Sequence, residues 1–267
     1  EQSIAGLLLE KIENIKEFNL APNAKTSGIR IPIDDVYFAL FNNNVINLDH
    51  LASPGAEENE KAVYEAFRQK KEKVWNWLTQ ELYQDRTPYN QLKEEYQSYE
   101  SYIVTNLLIN DTRVLKVDTS DEVYRTWTEE ETISLSEFLE YAIAQNWVDV
   151  SRLDMDTQYA DSSEVFDRLA EYISQELEKT SFYKKLYKYM IRDNSISGKQ
   201  VCLVLIEQQI VSVSEEQRAA LENGSVSAYQ FMRKLIENLQ ITPAQLALDP
   251  FSGSCVVVDP NTGEVLA

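Results

Sequence analysis

Apolar residues recur along most of the chain at the three- and four-residue intervals of a helix surface. Residues 4–18 carry Leu8, Ile12, Ile15 and Phe18 on one stripe behind Ser3, whose hydroxyl suits an N-cap. A short helix is predicted over 34–43. A long one spans about 56–84, with Val63, Phe67, Val74, Trp77 and Leu78 on one face. Thr87-Pro88 starts another that reaches about Leu108. The period then changes. Residues 113–117 and 122–127 alternate around Asp118-Thr119-Ser120-Asp121, the pattern of a small β-hairpin. Ser134-Leu135-Ser136-Glu137 is a capping box opening a helix to about Gln145. Further helices are predicted near 163–178, 181–191, 198–208, 215–223 and 226–239, and Thr242-Pro243 opens a last short turn.

One frame occurs three times, at 32–48, 135–150 and 198–213. Each copy is a short apolar-faced helix ending in Asn or Gln. An apolar pair follows (Val45-Ile46, Trp147-Val148, Ile210-Val211), and then a new helix start. Asn at such a stop can take the left-handed conformation. Unequal spacing between copies excludes a fixed-period solenoid. The prediction is a mainly α chain: a stack of helical hairpins with a small β-hairpin and a truncated C-terminal β-hairpin. The expected division is a helical part over 1–110, a hairpin with helices over 111–190, a helical part over 191–250 that leads into a further domain, and the first hairpin of that truncated domain over 251–267.

At 267 residues the chain buries enough surface to fold without disulfides or metal. Its 44 acidic against 25 basic residues, a net charge of −19, argue against a nucleic-acid partner, which needs a basic face. No apolar run approaches the roughly 20 residues of a membrane span. The chain begins at Glu1 rather than Met and ends just after a turn between two apolar runs, which suggests a piece of a longer protein.

The chemical inventory is thin. A single histidine, His50, cannot form a His cluster, and Cys202 and Cys255 lie in apolar runs as buried thiols do. No metal, cofactor or catalytic residue is assigned. Residues 154–165 resemble a calcium loop only in part: Tyr159 stands where the tight turn needs Gly, and Val165 where it needs Glu. Ser181 to Lys184 is an S-x-x-K match, but Ser181 reads better as an N-cap. Lys184, Lys185, Lys188 and Arg192 read as a solvated basic face that could touch an anionic partner. Tyr96, Tyr99 and Tyr102 recur every third residue, as a core or inter-helix stripe does; the alternative is an aromatic platform for a ligand. These seven residues are the candidate interaction surface.

Residues 241–267, ITPAQLALDPFSGSCVVVDPNTGEVLA, resemble the opening of the transpeptidase domain of class B penicillin-binding proteins. There an apolar strand, a D-x-x-T-G-E turn and a V/I-L-A strand begin the sheet. Val256–Asp259, Thr262, Gly263, Glu264 and Val265–Ala267 match. Residues 187–211 are similar to the region just upstream in clostridial relatives. The likeness covers about 187–267. The family's S-x-x-K, S-x-N and K-T/S-G motifs come after this hairpin. The internal Ser181–Lys184 lies upstream of it, so no catalytic residue carries over. The resemblance implies a non-catalytic spacer or docking region on the outer face of a bacterial cytoplasmic membrane, anchored by an N-terminal segment outside this chain. Its partners would be the transpeptidase domain of the same chain and, beyond it, other wall-synthesis proteins or peptidoglycan. Two alternatives stand beside it: an independent helical module binding a protein or glycan, and a glycan hydrolase working between two carboxylates about 5–10 Å apart.

Overall fold

A computed structural model describes residues 4–13, 30–155 and 161–248, and within them the chain is mainly helical. The chain divides into two compact units. One takes Glu1–Ala66 with Met190–Ala267, and the other takes Phe67–Tyr189.

The repeated frame is the organising device of the structure. Ile33–Asn42, Leu135–Ala144, Gly198–Glu207 and Ala228–Glu237 are ten-residue helices. Each ends at a left-handed residue two positions on: Asn44 (φ 55°), Asn146 (φ 57°), Gln209 (φ 56°) and Leu239 (φ 56°). The reversed chain then donates a backbone N–H back to the last turn, from Ile46 to Leu40, Trp147 to Ala142, Ile210 to Leu205 and Gln240 to Leu235. Orphan carbonyls of the helix end are satisfied in this way, and the direction of the following segment is set. Three of the four helices begin with a complete capping box, Ser134/Glu137, Ser197/Gln200 and Ser227/Gln230.

The fourth copy, at 228–241, is an addition to the three read from sequence. Leu239 conceals it. A leucine in the left-handed region costs roughly 1–2 kcal/mol against glycine, so it is not a residue that announces a stop. It is also one of the exposed large apolar side chains among the described residues.

In the first unit, Gly198–Glu207 packs on Ile33–Asn42, Glu215–Glu222 and Ala228–Glu237, and Ile4–Lys11 packs on Ala228–Glu237. Val36, Leu40, Phe41, Val201, Val204 and Ile236 are fully buried between them. Asn43 Nδ2 donates to the Gln245 and Leu246 carbonyls at 3.0 and 2.7 Å. The stop of the first copy is thereby tied to the short helix Pro243–Leu246.

The second unit has an aromatic core. Tyr99 is fully buried, with Phe182 and Tyr189 against it edge-on at 5.3 and 5.5 Å. Trp127 stacks on Phe138 at 4.9 Å.

Three expectations change. The first helix stops at Lys11 instead of running to 18, because Ile12-Glu13 pairs in parallel with Ile31-Pro32 and buries both isoleucines. The hairpin expected at 113–127 does not form. Glu122–Arg125 is helical, capped by the Asp121 carboxylate, and continues as a π-turn over Thr126–Glu130. Leu115 instead bridges antiparallel to Val148, through Lys116 N–H to Trp147 O and Asp149 N–H to Val114 O, both 2.8 Å. The helix expected from 88 to 108 is split. A 3-10 turn, Tyr89–Gln91, precedes the α-helix Glu94–Ser101, which widens into a π-helix over Tyr102–Asp111. The terminal hairpin at 255–266, Ser3 and Cys255 lie outside the described residues, as does the middle of the calcium-like loop.

Candidate functional site

The Glu94–Ser101 helix and the first residue of the π-helix that continues it place Tyr96, Tyr99 and Tyr102 in one row. The row is a packing seam. Tyr99 is fully buried, Tyr102 is buried against Phe182, and half-buried Tyr96 stacks on Trp77 at 4.4 Å. None of the three rings is an open platform.

The helix Thr180–Arg192 carries the basic residues. Phe182, Leu186 and Tyr189 face the core, as the apolar stripe requires. Lys184, Lys185 and Lys188 are half-buried, and Arg192 is exposed in the last turn. Lys185 Nζ lies 5.3 Å above the Tyr102 ring, and Lys188 Nζ lies 5.8 Å from that of Tyr189. Burial, followed by repulsion from Lys188, moves the Lys185 ammonium below its usual range. Ser181 is the second residue of this helix rather than its cap, and its hydroxyl is bonded to Tyr102 Oη at 3.0 Å.

His50 is not an isolated surface side chain. Its Nδ1 is 2.6 Å from Oε1 of Glu60, whose carboxylate is fully buried. Glu60 also accepts from the Glu57 N–H and from Gln208 Nε2, both at 2.8 Å. Gln208 clasps Asn47 through both its backbone N–H and its carbonyl, at 2.8 and 3.0 Å. Glu207 accepts from the Asn59 side chain at 2.6 Å and from the Glu60 N–H at 3.0 Å, so a carboxylate of one helix caps the start of Glu58–Gln80. A cavity of about 360 Å³ opens beside the network, lined by Val45, Asn47, His50, Glu207, Gln208 and Ile210.

Burial alone would raise the Glu60 carboxyl. The Glu57 amide, His50 and Gln208 outweigh burial and hold it below the usual range. This anchor is fully present at neutral pH and is lost as pH falls through the lowered Glu60 value. Replacing His50 by alanine removes one of three partners, and a loss of about 1 kcal/mol is expected in urea unfolding followed by circular dichroism at pH 7. An unchanged midpoint would mean that Gln208 and the Glu57 amide hold Glu60 without the ring.

Two further carboxylates are buried in the second unit. Glu81 accepts from the Thr87 N–H, whereas neither oxygen of Glu100 has a hydrogen-bond partner. Burial, then the charge of Glu81, pushes Glu100 up to about 9. Burial also raises Glu81, against the pull of Thr87.

The Cys202 thiol is fully enclosed and pushed upward by burial, which removes the thiolate that reactivity needs. Among the described residues no three His, Cys, Asp or Glu side chains converge as a metal site, and no helix is long and apolar enough to cross a membrane.

The buried acids were missed from sequence, although each occupies an apolar-stripe position. Glu60 shares its stripe with Val63 and Phe67, Glu100 with Ile103, Val104 and Leu107, and Glu207 with Leu203 and Val204. No family model, no curated protein and no solved structure matches this chain.

Proposed function

We propose that this chain is a non-catalytic spacer and docking region of a membrane-anchored, penicillin-binding cell-wall transpeptidase. Residues 256–267, VVVDPNTGEVLA, read together with the similar stretch at 187–211, carry the reading. The uses made of polar side chains support it. His50, Glu60, Glu207 and Gln208 join helices to one another, the Ser181 hydroxyl of the S-x-x-K match is bonded to Tyr102, and Cys202 is sealed in the core. In this reading the chain spaces a catalytic domain from an anchor. It also presents helix faces to other wall-synthesis proteins or to peptidoglycan.

Fluorescent penicillin tests the reading. The product of the whole reading frame is expected to be labelled covalently on a serine beyond residue 267, within an S-x-x-K motif, while residues 1–267 alone stay unlabelled. Labelling of residues 1–267 alone would overturn it. So would a frame without S-x-x-K, S-x-N and K-T/S-G after Ala267.

A further inference from the structure

We infer that the helix face carrying Ser181, Lys185 and Lys188, with Tyr102 beneath it, binds a phosphate-class oxyanion. These three residues stand at i, i+4 and i+7 on Thr180–Arg192 and therefore share one face. In a chain of net charge −19, cations normally find carboxylates nearby. Here they do not: among the described residues, neither Lys185 nor Lys188 has a carboxylate in ion-pair contact. The acids just before this helix are engaged elsewhere, Glu176 with Lys179 and Glu178 with Lys71 and Tyr183.

Two ammonium groups thus repel each other, with one of them held partly out of water over an aromatic ring. An anion between them would relieve both costs. The hydroxyls add a donor. Tyr102 Oη and Ser181 Oγ bond to each other at 3.0 Å and carry two hydrogens between them; when Tyr102 donates to Ser181, the Ser181 hydrogen is left for a ligand on this exposed residue. Side chains three and four apart on a helix stand about 5–6 Å apart at Cβ, a span that one phosphate group bridges. A tetrahedral oxyanion presents oxygens to donors on several sides, whereas a carboxylate presents two in one plane. Lysine serves phosphate as a point charge.

The probe is inorganic pyrophosphate, titrated into the whole 267-residue chain at low salt and followed by calorimetry and by amide chemical shifts. Saturable binding is expected, with shifts centred on 181–188 and weakening as salt is added. The double variant Lys185→Gln/Lys188→Gln, which keeps most of each stem, is expected to weaken binding by about tenfold or more. Its melting temperature without pyrophosphate should stay the same or rise, because the repulsion is gone. Lys188→Gln alone tests the same point with Lys185 left in its seat on Tyr102. The inference fails if pyrophosphate does not saturate the chain, or if the variants bind it unchanged. It also fails if phosphatidylglycerol vesicles capture the chain while pyrophosphate is ignored.

Discussion

Replacing Glu100 by methionine is expected to raise the stability of the Phe67–Tyr189 unit by about 3 kcal/mol at pH 7 and to flatten its dependence on pH. Glu100 is fully buried, neither oxygen is hydrogen-bonded, and the Glu81 carboxyl lies close enough to repel its charge. Its carboxyl titrates at about 9 in the folded chain, against an ordinary value of 4.5. Between those values the folded state holds a proton that the unfolded state has released. Stability therefore falls as pH rises through this range, by about 1.4 kcal/mol per unit, and levels off above it. By pH 7 the loss is about 3 kcal/mol. Glu81, also raised by burial, adds a smaller slope of the same sign. Methionine has similar length and no charge to neutralise, and apolar replacement of an unpaired buried polar group is favourable. All four tryptophans, Trp75, Trp77, Trp127 and Trp147, belong to this unit, so their fluorescence in urea at pH 5 and pH 8 reads it selectively. Wild type should weaken from pH 5 to pH 8 and the variant much less. A variant less stable than wild type at pH 8 would show that Glu100 is an anchor with a partner of its own.

Alanine at Gly198 is expected to cost about 2 kcal/mol in the other unit. Gly198 is the first residue of its helix, directly after the capping serine Ser197. A Cβ there would lie 2.5 Å from Cε2, 2.6 Å from Cζ and 2.8 Å from Oη of Tyr37. Tyr37 is buried on Ile33–Asn42, so its ring has little room to retreat. The requirement is one of space and not of backbone conformation, since Gly198 does not have positive φ. It follows that the cost should largely vanish when Tyr37 is first replaced by leucine, which withdraws the far end of the ring. A double-mutant cycle on Gly198→Ala and Tyr37→Leu is therefore expected to show strong coupling. Amide exchange in Ile33–Asn42 and Gly198–Glu207 is the suitable measurement, because this unit contains no tryptophan. Equal effects of Gly198→Ala in both backgrounds would mean that glycine is needed there for another reason.

The local elements were legible because their signals are local. A capping box such as Ser197/Gln200 closes its bonds within three residues, and the stops at Asn44 and Asn146 use a residue type that tolerates the left-handed region. The stop at Leu239 was not legible, because leucine is a residue type that rarely takes the left-handed conformation it has there. The alternating pattern read over Glu122–Trp127 fitted a strand as well as a helical turn. What settled it was the Asp121 cap and the burial of Trp127 against Phe138, and the latter depends on a residue of another helix.

The candidate surface divides in the same way. Helical spacing placed Lys184, Lys185 and Lys188 together, but could not show that Lys185 rests on Tyr102. The carboxylates were beyond reach: 44 acidic residues look alike in a sequence, and nothing distinguishes Glu60 or Glu100 until the helices around them are assembled. The mainly α character, most helix limits and three of the four stops that follow ten-residue helices could be read from the chain alone, because bonds and clashes spanning a few residues fix them. The assembled helices were needed to show that Glu1–Ala66 and Met190–Ala267 share one unit, which acids are anchored, and that Glu100 is left without a hydrogen-bond partner. The reason is that removal from water is a property of segments far apart in the chain, and the charge of a buried group depends on whichever of them reaches it.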